Sequence, residues 1–97
     1  MREIRKYPIS PDQFALEMPE GAQPLSVCMQ ETHPYVWVLV DPEARKVRHL
    51  FVTINSRKAI PDAIDDLGFV GSFLSPSEKI DFHVFYAGEE EEEPVGT

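Results

Sequence analysis

The chain has 97 residues, a formal net charge of −8, 42% apolar residues and one cysteine. That length allows a single small domain, which buries only about 60–65% of its unfolded surface and is marginal alone. The composition excludes an internal disulfide, a membrane helix of ~20 apolar residues and, through its acidic balance, duplex nucleic acid as a natural partner.

Residues 2–9 open the chain with an imperfect alternation: Ile4 and Lys6 share one parity, Arg5 and Tyr7 the other. Pro8 lacks an N–H and suits a strand end or an edge strand. After the Ser10-Pro11-Asp12 turn, residues 14–18 place Phe14, Leu16 and Met18 on one face, the period of two of a half-buried strand. Pro19-Glu20-Gly21 breaks it. Residues 25–30 form the next strand, with Leu25, Val27 and Met29 predicted inward.

Residues 35–40, Tyr-Val-Trp-Val-Leu-Val, hold the only tryptophan and end at Asp41-Pro42. Six β-branched and aromatic residues bounded by turns predict a central strand buried on both faces. The chain returns through residues 46–55, where Leu50, Val52 and Ile54 share one face and Val47, His49, Phe51 and Thr53 the other. The strands at 25–30, 35–40 and 46–55 are therefore expected to form an antiparallel meander. Pro61 and Gly68 bracket a predicted single helical turn. Residues 69–74 and 80–86 complete the set, with Ile80, Phe82, Val84 and Tyr86 inward.

Seven short strands at about ten-residue spacing predict an all-β fold, a small antiparallel sandwich or partly closed barrel. The expected domain is 1–88. Residues 89–97 read as a disordered acidic tail: the five glutamates at 89–93 carry −5 of the charge and leave −3 on the rest. Runs that are apolar on both parities, such as 35–40, predict a homo-oligomer. The lone Cys28 and a charged opening with no signal peptide predict a cytoplasmic location.

No constellation points to catalysis, so a non-enzymatic protein is expected. His33, His49 and His83 fall on three separate elements, and neither a metal site nor a cofactor is predicted. Cys28 has no base beside it, and Ser72 lacks the glycine-flanked elbow of a hydrolase nucleophile. The most pointed feature is cationic. Arg45, Lys46 and Arg48, with Arg57 and Lys58, bracket the strand at 46–55. Arginine forks grip phosphate and aromatic faces stack a base. The predicted ligand site is accordingly Arg45, Arg48, His49, Arg57 and Lys58, with Tyr35 and Trp37 as stacking faces. The competing reading is a solvated strand end whose cations block edge pairing.

The opening residues 4–9, the segment Met18-Pro19-Glu20-Gly21-Ala22 with Leu25-Ser26-Val27, the core 37–42, Phe69-Val70-Gly71-Ser72 and Phe82-His83-Val84-Phe85 resemble, in that order, a family of small uncharacterised phage- and prophage-encoded proteins. The resemblance covers nearly all of the chain except the tail. It implies no catalytic residues, only a context: an accessory protein of the infected or lysogenic cell. With the cationic cluster, the expected function is an anti-defence protein that sequesters a small nucleotide immune signal of the host. The alternative is a protein–protein inhibitor or assembly factor that occupies a host protein through a strand edge or its acidic surface.

Overall fold

A computed structural model describes residues 1–12 and 15–90. The predicted inward Phe14 and the expected disorder from residue 91 onward lie outside the described residues. The fold is all-β. Strands β1 (Glu3–Pro8), β4 (His33–Val40) and β3 (Gln23–Gln30) form one antiparallel sheet in the order β1-β4-β3. Strands β2 (Ala15–Pro19), β5 (Lys46–Asn55), β7 (Ile80–Glu89) and β6 (Gly68–Ser75) form the other, in the order β2-β5-β7-β6. The helical turn after Pro61 is a 3-10 turn, Asp62–Asp66. No helix among the described residues is long and apolar enough to cross a membrane.

The period of two decides what enters the core. Leu16 and Met18 of β2, Phe51 of β5, Phe82 and Val84 of β7 and Phe73 of β6 meet Val36, Val38 and Val40 of β4 between the sheets. This is a sandwich, not a closed barrel. At one corner β3 runs against β6, where a methyl group added to Gly71 would lie 2.9 Å from the Val27 amide nitrogen.

Four sequence expectations need correction. First, β4 is central but is buried on one face only. Tyr35, Trp37 and Leu39 are half-buried on the outer side of the three-stranded sheet, because the other sheet covers only the Val36–Val38–Val40 side. Val27, expected to be largely buried, is likewise half-buried. Second, the meander stops after β4. Both edges of β4 are taken, by β1 and β3, so β5 has no place beside it. The Asp41 turn, closed by the Ala44 amide donating to the Asp41 carbonyl at 3.1 Å, carries the chain to the opposite sheet. Third, Leu25 is 47% exposed, because β3 bulges between Pro24 and Ser26 and one residue leaves the alternation. Fourth, β7 extends through Glu89, one residue past the predicted boundary at Gly88. The Glu89 carboxylate accepts from the Gly21 amide at 2.7 Å, and the Glu90 amide donates to the Arg48 carbonyl at 2.8 Å.

Among the described residues one polar side chain is buried whole. His49 is fully buried. Its Nε2 faces the Met18 and Pro19 carbonyls at 3.2 and 3.1 Å. Carbonyls only accept, so Nε2 carries the proton, and Nδ1 accepts from the Tyr86 hydroxyl at 2.7 Å. Burial, with a smaller contribution from Glu89, pushes the Tyr86 hydroxyl up to about 12 from its ordinary 10.0.

Two predictions follow from this packing. Gly71→Ala drives a methyl into the β3 backbone and should cost about 1–3 kcal/mol in urea unfolding. Gly68→Ala meets only an ordinary contact at 3.9 Å and should cost much less. The raised Tyr86 value means the fold favours the neutral phenol. Its contribution is intact below the unfolded value near 10 and is lost as pH rises toward about 12. Wild-type stability should therefore fall across that window, while Tyr86→Phe, weaker at neutral pH, should fall less. Equal slopes for the two proteins would refute the linkage.

Candidate functional site

Because Phe82 and Val84 point inward, His83 and Phe85 of β7 point outward, beside Ile54 of β5. The residues after β5 fold back over this outer face. The Arg57 amide donates to the Asn55 side-chain oxygen at 2.9 Å, and the Lys58 amide to the Asn55 carbonyl at 3.2 Å. That tight turn sends Ile60 and Ile64 over the sheet. Between turn and sheet lies a cleft of about 300 Å³, lined by Ile54, Asn55, Ser56, Lys58, Ile60, Ile64, His83 and Phe85.

His83 is held from both ends. Ser56 Oγ is 2.8 Å from Nε2 and Ser72 Oγ is 2.7 Å from Nδ1. Ser56 also leans on the Asp81 carbonyl at 3.4 Å, to which it can only donate. It therefore accepts from Nε2–H, and Nδ1 accepts from the Ser72 hydroxyl. The result is a fixed hydrogen-bonding wall over an apolar floor. Among the described residues no three His, Cys, Asp or Glu converge as metal ligands. A second hollow of about 330 Å³, lined by Pro11, Asp12, Val52, Thr53, Ala59, Pro61 and Phe82, shares Ile54, Asn55 and Lys58 with the first. The Thr53 hydroxyl beside it is buried and makes no hydrogen bond to any described residue.

The structure scatters the residues expected to form the ligand site. Ten-residue β5 spans roughly 30 Å, so its two cationic ends cannot grip one small ligand. At the first end Arg45 pairs with Glu20 at 2.9 Å and Arg48 with Glu90 at 2.8 Å. His49 is sealed in the core and offers no stacking face, because Val47, His49 and Phe51 form the inward parity of β5. Tyr35 and Trp37 lie on the outer face of the other sheet, with the Lys6 ammonium 4.6 and 5.8 Å from their ring centroids. Lys46 at the first end and Arg57 and Lys58 at the far end make no ion pair with any described residue. Of the predicted set, Lys58 alone lines the cleft.

His83, Ser56, Ile54 and Phe85 were not singled out as site residues. Their signal was faint. His83 alternates with inward residues, which places it outward, but nothing in the sequence shows that residues 56–64 return over it.

No curated protein and no solved structure matches the chain. Residues 1–95 match the family described as domain of unknown function (DUF7352), and the chain belongs to that family.

Proposed function

We propose that this family member is a non-enzymatic binding protein that captures a small phosphate-bearing ligand in the cleft over the four-stranded sheet. One observation carries the reading. Lys58, without a carboxylate partner among the described residues, stands at an apolar cleft whose inner wall is the Ser56–His83 hydrogen-bonded pair. An ammonium supplies the charge for a phosphate, Asn55 and Ser56 supply hydrogen bonds, and Phe85 with Ile54, Ile60 and Ile64 receives the flat or apolar body. A volume of about 300 Å³ suits a molecule of mononucleotide scale at the small end of ligand pockets. The resemblance to phage and prophage proteins supports a nucleotide immune signal of the host as that ligand. Sequestration needs only stoichiometric binding, so the absence of turnover is part of the proposal.

A second reading is favoured by a different observation. Ile60 and Phe69 flank the same face and are 65% and 62% exposed, more apolar surface than a small ligand would cover. A protein partner docked on this face would cover it.

Thermal shift and calorimetry with inorganic phosphate, mononucleotides and cyclic dinucleotides test the first reading. A ligand at a hundred times its Kd should stabilise the fold by about 2.7 kcal/mol. Lys58→Ala should lose about 1.5–3 kcal/mol of binding, whereas Arg48→Ala, which removes an ion pair remote from the cleft, should bind as wild type. No shift across the panel, or unchanged binding by Lys58→Ala, would overturn the small-ligand reading and favour the protein partner.

A further inference from the structure

The two sheets leave strand edges open, and these edges are not equivalent. The outer side of β3 runs against β6. β2 is five residues long and ends in Pro19. β1 has six residues at the end of its sheet, all exposed except the half-buried Tyr7, and its outer backbone groups pair with no strand among the described residues. A row of unpaired amides and carbonyls is a template for another strand unless side chains guard it.

The side chains of β1 do not guard it. The Lys6 ammonium is drawn inward across the sheet, over the Tyr35 and Trp37 rings and onto the Gln30 side-chain oxygen. Glu3 and Arg5, two residues apart on one face, neutralise each other in an ion pair. Between them on the opposite face Ile4 is 58% exposed, beside Leu39 of β4. Pro8 ends the strand and limits the open row to residues 3–7.

This pattern complements itself. We propose that β1 pairs antiparallel with β1 of a second copy of this chain, about a two-fold axis at Ile4, to make one continuous six-stranded sheet. In that register Glu3 faces the partner's Arg5, Arg5 faces the partner's Glu3, Ile4 faces the partner's Ile4, and Lys6 lies opposite the partner's Arg2 with its ammonium turned away onto Gln30 and the Tyr35 ring. Sliding by one pleat in either direction instead sets Glu3 against Glu3 or Arg5 against Arg5, and like charges directly opposite are unfavourable. The ion pair within each strand becomes two ion pairs between strands, and Ile4 and Leu39 join an apolar band that crosses the axis. The pairing is independent of the cleft, which lies on the other sheet.

Charge-reversal mixing tests it. By light scattering, the wild-type chain should run at twice its 11.0 kDa mass as concentration rises. Arg5→Glu alone gives a strand with two acids, and Glu3→Arg alone a strand with two bases. Each should dimerise more weakly, on the order of tenfold or more. An equimolar mixture of the two variants should restore the dimer as a heterodimer, which no effect within one strand can produce. Circular dichroism of each variant checks that its fold is kept. A wild-type chain that stays monomeric at every concentration would overturn the proposal. So would a wild-type dimer that neither variant weakens, or variants that weaken it without recovery on mixing.

Discussion

A single buried imidazole sets the register of the four-stranded sheet. His49 on β5 gives its one proton to the carbonyls that end β2 and takes one from Tyr86 on β7, so one side chain ties three strands. An imidazole shut away from water tolerates no unpaired nitrogen. With His49 in place Phe51 and Val84 fall inward, and Ile54 and His83 must fall outward. With β5 held by His49, a slip of one residue between β5 and β7 would turn β7 over, bring His83 and Phe85 into the core and abolish the cleft. The site is thus a by-product of how the core is satisfied.

Much of the fold was legible wherever side-chain alternation had only one reading. Residues 80–86 give their inward set directly, and Pro61 and Gly68 bound the short turn where the structure has it. The failures have separate causes. An apolar run such as 35–40 reports that neither face is penalised, not that both are covered, and a small two-layer domain has only one layer to put over it. The bulge at Leu25 leaves no mark in composition. The step from β4 to β5 is as short as a hairpin, and only the occupancy of the edges of β4 makes it a crossing between sheets. The site was less legible still. Arg45, Arg48, Arg57 and Lys58 are close in sequence, but an extended strand separates its ends more than any other element does. The partners that engage Arg45 and Arg48 come from residues 20 and 90.

Charge is distributed along β5 rather than balanced locally. The end near Arg45 and Arg48 is closed by carboxylates from the β2 turn and from the end of β7, so the start of the acidic run is part of the folded body. The end near Arg57 and Lys58 has no such closure. Arg57 and Lys58 are there a pair of cations inside an acidic surround, with Asp12 lining the hollow beside Lys58 and Asp62, Asp65 and Asp66 in the turn that follows.

The contact of Gly71 with Val27 bears on how the cleft could diversify. The corner where β6 meets β3 admits no side chain, so the spacing of the sheets on that flank is fixed by the backbone itself. Ser72, one residue on, inherits that fixity and holds His83 in turn. The sheet side of the cleft is then a rigid template that related chains can alter only at the expense of the fold. Residues 56–67 carry no buried side chain and can vary in length and composition. Under the proposed binding role, changes of ligand preference would fall in that overhanging segment, with the floor beneath it held constant.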